Sequence, residues 1–231
     1  ELPEKLKGEV VTAYRKLGRK NQDVAVRSSA TAEDLPGASF AGQQETYLNV
    51  VGESDLLLAV KKCIASLFTD RAISYRVDKG FSHFEIALSV GVQKMVRSDL
   101  GASGVMFTVD TESGFRDLVL INAVWGLGEL IVQGHVTPDE YLVMKSKIGK
   151  VPSSLISKTL GVKNKKMLYA SRKTRVIQTK VVSTSKAEQD RFVLSEAEVE
   201  ELARWGALIE EHYSVRSKTW TPMDMEWAKD G

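Results

Sequence analysis

The sequence predicts an α+β fold with a mainly antiparallel sheet flanked by helices. Three observations point to this class: helix-type apolar periods stand towards both ends, β-branched segments fill the middle, and glycine-containing turns separate those segments. Hydrophobic residues make up 43% and charged residues 27% of the 231 residues, values typical of globular proteins. This composition excludes disorder or a fibrous repeat as a description of the whole chain.

The first part of the chain is predicted to be rich in helix and loop. Apolar residues near a 3.6 period predict a helix over residues 3–17, and the period then changes to that of a strand over 24–29. A stretch without any period, 30–44, predicts a long exposed loop. Strand character resumes over 46–50, and Ser54 or Asp55 is predicted to cap a helix that runs to about Val77.

The rest of the chain is predicted to be rich in strand. Five alternating or β-branched segments are predicted strands: 86–96, 104–110, 118–125, 140–145 and 176–182. The Ser195-Glu196-Ala197-Glu198 sequence is a capping box that predicts a helix to about Tyr213, and residues 222–228 close the chain as a strand. We expect one domain over 1–231, either undivided or in two lobes, about 1–82 and about 83–231.

Charge and hydropathy narrow the classes of partner. The formal net charge is +2, and no apolar run approaches the length of a membrane span, so we expect neither nucleic acid nor a membrane as partner. The first residues lack a secretory signal and Cys63 is the single cysteine, which favours a soluble, cytoplasmic protein. The basic stretch 145–175 lacks a series of aromatic residues, so we interpret it as a solvated hairpin or loop face.

An arginine at a strand end is the first candidate ligand-binding residue. Arg27 precedes a loop of small residues that includes Ser39 and Gly42, and such residues let backbone N–H groups approach an anion. A guanidinium can bind phosphate oxygens in a bidentate manner. The alternative is an ordinary ion pair with a structural carboxylate, and the sequence leaves both open.

Two acidic segments are the next candidates. Asp224 and Glu226 stand two apart in a predicted strand, which places both carboxylates on one face, where Mg²⁺ could join them to phosphate oxygens. Glu129 follows two glycines that bend the backbone and could aim its carboxylate into a cavity. A plain exposed strand face and a solvated strand end explain the same residues equally well.

A strand in the middle of the chain offers a candidate binding site for a base. Gln93, Lys94, Met95 and Val96 could form a hinge whose backbone groups bind the base while Met95 covers its ring, although a methionine in a strand is more often ordinary core.

Several motifs in the same order resemble the nucleotide-binding domain of the phosphoenolpyruvate synthases, the ATP-dependent pyruvate, water dikinases. The motifs are Val-Arg-Ser-Ser-Ala-Thr-Ala-Glu-Asp (26–34), Ala-Ser-Phe-Ala-Gly-Gln-Gln-Glu (38–45), Asp-Arg-Ala-Ile-Ser-Tyr-Arg (70–76), Val-Gln-Lys-Met-Val-Arg-Ser-Asp-Leu-Gly (92–101), Trp-Gly-Leu-Gly-Glu (125–129) and Met-Asp-Met-Glu-Trp-Ala-Lys-Asp-Gly (223–231). The resemblance covers the chain from about Asp23 to its end.

The resemblance implies an ATP-grasp fold that holds MgATP. Its enzymes cleave ATP to AMP and phosphate and pass the β-phosphoryl group through a histidine to pyruvate. By this similarity Arg27 and Arg71 would contact the polyphosphate, residues 93–96 would form the adenine hinge, and Glu129, Asp224 and Glu226 would hold Mg²⁺ or orient phosphates. A homodimer of the full enzyme and pyruvate bound by other domains are further expectations.

The chain departs from the family pattern in ways that limit the expectation. A glycine-rich, lysine-bearing segment that normally precedes Arg27 and a Gln-Ala-Arg segment after the acidic pair have no counterpart, so we expect a fold incomplete at both ends that does not turn over alone. The alternatives are the same domain of another dikinase (rifampin phosphotransferase, pyruvate phosphate dikinase or glucan water dikinase), or a non-catalytic nucleotide-binding or structural module.

Overall fold

The computed structural model describes residues 1–18, 20–30, 34–35, 38–39, 46–83, 86–170 and 179–231. The chain forms two compact units. Among the described residues, the first unit contains 1–95 and the second contains 96–170 and 179–231. Within the described ranges, no helix is both long and apolar enough to cross a membrane.

Helices and short strands alternate in the first unit. Its elements are α1 (Glu4–Lys16), β1 (Asp23–Ala30), β2 (Asp34–Leu35), β3 (Ala38–Ser39), β4 (Thr46–Val51), α2 (Glu53–Ala65), a 3-10 turn (Ser66–Phe68), α3 (Asp70–Lys79) and β5 (Leu88–Lys94). The predicted first helix and the predicted strands over 24–29, 46–50 and 86–96 are confirmed to within two residues at each end.

The sheet of the first unit has the order β4-β1-β5 and is antiparallel throughout. One face of β1 is apolar: Val24 and Val26 are completely buried, and Val26 lies opposite Val92 of β5. This face packs against α1 and α2 in a single core. The buried members of that core are Tyr14, Val24, Val26, Val50, Leu56, Ala59, Val60 and Cys63.

The single helix predicted from Ser54 or Asp55 to about Val77 is wrong. Helix α2 ends at Ala65, and a 3-10 turn follows to Phe68. Thr69 is extended and begins a new helix, because its hydroxyl accepts a hydrogen bond from the Ala72 N–H. The predicted cap is also wrong, since α2 begins after Gly52, whose φ of 90° favours glycine.

Most of the predicted loop over 30–44 lies outside the described residues. The described part contains a short antiparallel ladder, in which Asp34 pairs with Ser39 and Leu35 with Ala38.

Strands dominate the second unit. Its elements are β6 (Ala102–Phe107), β7 (Leu118–Trp125), α4 (Glu129–Val132), β8 (Asp139–Met144), a 3-10 turn (Lys145–Lys147), β9 (Leu155–Thr159), β10 (Lys165–Tyr169), β11 (Thr179–Ser183), α5 (Lys186–Gln189), α6 (Glu196–Ser217) and β12 (Asp224–Lys229). Strands β6, β7, β8, β11 and β12 overlap predicted segments, whereas α4, α5, β9 and β10 were not predicted.

A five-stranded antiparallel sheet of order β12-β6-β7-β8-β9 forms the body of the second unit. Helix α6 packs on one face of this sheet, with Val199, Leu202 and Ala203 directed into the core. The predicted capping box is confirmed at Ser195 and Glu198, and the helix continues past Tyr213 to Ser217. The other two strands, β10 and β11, form a separate antiparallel pair.

The basic stretch 145–175 is less solvated than the sequence suggested. Lys145 binds Glu210 at 2.8 Å, and both side chains are nearly buried. Lys163 is completely buried against Asp139, whose carboxylate also accepts the N–H groups of Gly161 and Val193. These acids come from distant segments of the chain, so the solvated-face interpretation is wrong for these two lysines. Pairing of this kind cannot be read from local sequence.

Candidate functional site

Arg27 lies on the face of the first unit's sheet that is opposite to the core. It is exposed, because its neighbour Val26 takes the buried position and side chains alternate along a strand. In β5, the residue directly opposite Arg27 is Gly91. Gly91 has no side chain, so β5 places none directly opposite Arg27 on this face.

The pairing of β1 with β5 brings Arg27 and Gln93 to the same face. Ala25 pairs with Gln93 and Arg27 with Gly91, so Arg27 and Gln93 are diagonal neighbours across the ladder. Diagonal neighbours lie roughly 7–8 Å apart, which long side chains can span. Among the described residues Arg27 has no carboxylate partner, so the ion-pair alternative finds no support within those ranges.

Arg71 lies in the first turn of α3, directly after Asp70, and is exposed. It forms no ion pair within the described ranges. Ser39 belongs to β3, but its side chain and the whole of Gly42 lie outside what the structure describes.

The predicted adenine hinge begins at the end of an edge strand. Gln93 and Lys94 are the last residues of β5, which pairs with β1 on one side and with no other described strand. The Met95 N–H donates to the Asp23 carbonyl at 3.1 Å and so extends the pairing with β1 by one residue. Residues 93–95 belong to the first unit and Val96 begins the second.

Glu129 follows a sharp bend in the second unit. Gly126 has a φ of 82°, its carbonyl accepts the Ser103 hydroxyl at 2.6 Å, and a Cβ there would lie 2.4 Å from the Met167 carbonyl oxygen. Only glycine fits this position. The bend leads into α4, whose first residue is Glu129, and the glutamate is exposed.

Asp224 and Glu226 alternate with core residues along β12. Met225 and Trp227 pack against the core of the second unit, while Asp224 and Glu226 share the opposite, exposed face. The strand is fixed at its start, where the Met223 N–H donates to the Thr108 hydroxyl at 2.8 Å. β12 is an edge strand, so one flank of the acidic pair is open. The predicted one-sided placement is confirmed.

The donor set fits Mg²⁺ bound together with a nucleotide. Neither Asp224 nor Glu226 has a hydrogen-bond or ion-pair partner among the described residues, so both carboxylates are available. No cluster of three or more potential ligands occurs within those ranges, as an all-protein metal cage would need. Mg²⁺ commonly takes one or two carboxylates and completes its shell with phosphate oxygens and water.

Sequence reasoning missed the contacts around Arg97, Asp99 and Asp230. Residues 97–101 entered the sequence analysis as part of a motif that carries the family resemblance, without any partner. In the structure the Arg97 N–H donates to the Asp230 carboxylate at 2.5 Å, and the Arg97 guanidinium pairs with Asp99. The charged residues Arg97 and Asp99 beside Gly101 can be seen in the sequence. Their partner Asp230 cannot be found in this way, because it lies more than a hundred residues away.

Comparison with known proteins gives consistent matches over the whole chain. The family model described as "Pyruvate phosphate dikinase, AMP/ATP-binding domain" matches residues 1–231. The chain is similar to the phosphoenolpyruvate synthase of Aquifex aeolicus (59% identity, 99% of this chain, 27% of the relative). It also resembles that of Escherichia coli K12 (50% identity, 98% of this chain, 28% of the relative).

A third relative matches at lower identity. The probable phosphoenolpyruvate synthase of Methanocaldococcus jannaschii is 46% identical over 99% of this chain and 18% of its own length. The chain therefore spans between about a fifth and three tenths of the length of the curated relatives it matches. Since the family model covers every residue from 1 to 231, the chain belongs to the pyruvate phosphate dikinase AMP/ATP-binding domain family.

Proposed function

We propose that this protein is the ATP- and Mg²⁺-binding part of a phosphoenolpyruvate synthase. In the proposed reaction the β-phosphoryl group of ATP passes through a phosphohistidine to pyruvate, giving phosphoenolpyruvate, AMP and phosphate. The phosphohistidine and the pyruvate site are assigned to polypeptide outside these 231 residues. The names of the relatives at 46–59% identity support this choice over the other dikinases.

The observation that carries the proposal is the pair of available carboxylates on β12. Asp224 and Glu226 share one exposed face at the open edge of the sheet. In the proposed site these two residues hold Mg²⁺, with Glu129 as a further carboxylate that binds metal or orients phosphates. When bound, Mg²⁺ would neutralise phosphate charge during transfer of the phosphoryl group.

The remaining assignments concern the nucleotide. Arg27 and Arg71 are proposed to bind polyphosphate oxygens, because a guanidinium matches the spread charge of a phosphate and both are exposed. The backbone around Ser39 and Gly42 is proposed to support the phosphates. Residues 93–96 are proposed to hold adenine through backbone groups at the end of β5.

Three wider proposals follow from the same assignment. The full enzyme takes pyruvate as its acceptor, forms a homodimer and acts in the cytoplasm. The two units would then serve the ATP half-reaction, and the acceptor half-reaction would belong to other parts of the enzyme.

The proposal is tested by calorimetric titration of the protein with ATP, with Mg²⁺ and with EDTA. We expect Mg²⁺ to strengthen ATP binding and Glu226→Ala to abolish that gain, at a cost of about tenfold or more in affinity, because a metal ligand is lost. Glu201→Ala is the matched control, since Glu201 is an exposed glutamate on α6.

Two outcomes would contradict the proposal. Absence of ATP binding by the unmodified protein would remove the nucleotide assignment. Equal affinities of the unmodified protein and Glu226→Ala for ATP in the presence of Mg²⁺ would remove the metal role of β12.

A further inference from the structure

A short turn connects the predicted adenine hinge to the main sheet of the second unit. This turn, residues 97–101, begins directly after Val96 and ends where β6 begins at Ala102. Two backbone hydrogen bonds close it, from Leu100 to the Arg97 carbonyl at 2.9 Å and from Gly101 to the Ser98 carbonyl at 3.0 Å. The proposed function gives this turn no role.

The side chain of Arg97 is fixed within its own turn. Its guanidinium donates two hydrogen bonds to Asp99, at 2.7 and 2.8 Å, and the Asp99 side chain is only 7% exposed. The same guanidinium lies 5.7 Å from the ring centre of Tyr169 on β10. A bidentate pair between a planar guanidinium and a nearly buried carboxylate allows little rotation.

The turn is also attached to the strand that carries the acidic pair. The Arg97 N–H donates to Asp230 Oδ1 at 2.5 Å, and Asp230 directly follows β12. Gly101 packs so closely on this strand that a Cβ would lie 2.4 Å from the Lys229 carbonyl oxygen. The end of β12 and the turn therefore form one rigid contact.

A third segment meets the turn at Gly101. The Gly101 carbonyl accepts the Gly126 N–H at 3.2 Å, and Gly126 leads through the bend into α4 and Glu129. Thus Val96, the β12 strand and the segment before Glu129 all meet the same five-residue turn, within the second unit.

The hydrogen bond from Arg97 to Asp230 has a specific geometric effect. The Arg97 N–H belongs to the peptide group whose carbonyl is that of Val96, and a trans peptide group is planar, with its N–H and C=O pointing in opposite directions. Fixing the N–H therefore fixes the direction of the Val96 carbonyl. A carbonyl can accept the amino group of adenine, whereas guanine presents an oxygen at the equivalent position.

We propose that Asp230 is a positioning residue for base selectivity, which sets the direction of the Val96 carbonyl by binding the Arg97 N–H. This inference rests on the proposed function, because it takes residues 93–96 as the adenine hinge. Arg97 and Asp99 support the arrangement by holding the turn, and none of the three residues needs to touch the nucleotide.

The test compares the affinities of three proteins for MgATP and MgGTP by calorimetry: the unmodified protein, Asp230→Ala and Asp230→Asn. The unmodified protein is expected to prefer ATP. Asp230→Ala removes the acceptor, and the ratio of ATP to GTP affinity is expected to fall by about tenfold, because a misdirected carbonyl no longer discriminates between the bases. Asp230→Asn retains an amide oxygen that can accept the same N–H and is expected to retain the preference.

The outcomes separate this inference from the proposed function. If the unmodified protein binds neither nucleotide, the proposed function fails and this inference fails with it. If it binds ATP but Asp230→Ala keeps the same ratio, or loses affinity for both nucleotides equally, only the positioning role is overturned. Thermal unfolding of each variant shows whether a change in affinity reflects loss of the fold, which would change both affinities together.

Discussion

Arg27 shows how a single residue type acquires its role from its neighbours in the sheet. The alternation of β1 places Val26 in the core and Arg27 on the open face, and the register with β5 puts Gly91 beside it and Gln93 diagonally across. A guanidinium is planar and can donate several hydrogen bonds to one phosphate group. The position, rather than the charge alone, suits Arg27 to phosphate.

We therefore expect Arg27→Ala to weaken ATP binding by about tenfold, or about 1.4 kcal/mol, because a charge-assisted contact is lost. The measurement is the dissociation constant of MgATP. Arg15→Ala is the matched control, since Arg15 is an exposed arginine in α1 that pairs with Glu53. An affinity for Arg27→Ala equal to that of the control would exclude Arg27 from the site.

At the scale of elements, two helices in the second unit begin at capping boxes that contain a glutamate. Partial burial opposes ionisation of Glu188, but hydrogen bonds from Lys166 and Ser185 outweigh it and lower its pKa from 4.5 to about 2. Glu198 caps α6 in the same way, and its pKa is also lowered. A lowered pKa in the folded state means that the ionised form stabilises the fold.

The contribution of Glu188 to the free energy of unfolding therefore depends on pH. The stabilisation from Glu188 is complete above about pH 4.5, where the group is ionised even when unfolded, and it is lost as pH falls towards about 2. We expect the free energy of unfolding to decrease over this range, and to decrease less in Glu188→Gln. This variant is itself less stable at pH 7 by up to about 1 kcal/mol, because it loses the ion pair with Lys166. Urea unfolding at pH 7, 4 and 3 measures this, and parallel pH curves for the two proteins would refute it.

How far the sequence predicts the elements depends on how local their determinants are. The capping box at Ser195 and the alternation around Met225 involve near neighbours, and both predictions are confirmed. The break at Thr69 was missed because an apolar period continues across it. The pairing of Lys163 with Asp139 and that of Arg97 with Asp230 join distant segments, so no local pattern announces them.

Only part of the candidate site could be predicted from the sequence. The residue types and the one-sided placement of Asp224 and Glu226 follow from strand geometry. The placement of Gly91 opposite Arg27 depends on the register between β1 and β5. The sequence does not reveal this register, because slipping by one residue changes every facing pair. The nucleotide roles of these residues stay predictions.

At the scale of the whole molecule, each unit has its own hydrophobic core. The core of the first unit lies around α2 and β1, and that of the second lies between α6 and its five-stranded sheet. All tryptophans belong to the second unit: Trp125, Trp205, Trp220 and Trp227. Tryptophan fluorescence consequently reports on the second unit, whereas circular dichroism reports on both.

This distribution gives a test of how independently the units unfold. Leu56 is completely buried in the first core, so Leu56→Ala is expected to destabilise that unit by about 2–5 kcal/mol. We expect the denaturation curve followed by circular dichroism to acquire an early phase, while the fluorescence curve keeps its midpoint. Equal shifts of both curves would show that the chain unfolds as one cooperative body.

The burial of Cys63 has a practical consequence. It is the single cysteine of the chain, it has no exposed surface, and its thiol lies 3.7 Å from the Val26 carbonyl oxygen inside the first core. Thiol reagents require an accessible thiolate, so the native protein should leave this residue unlabelled. A cysteine introduced on the surface of either unit could then carry a spectroscopic probe by itself, without removal of the natural thiol.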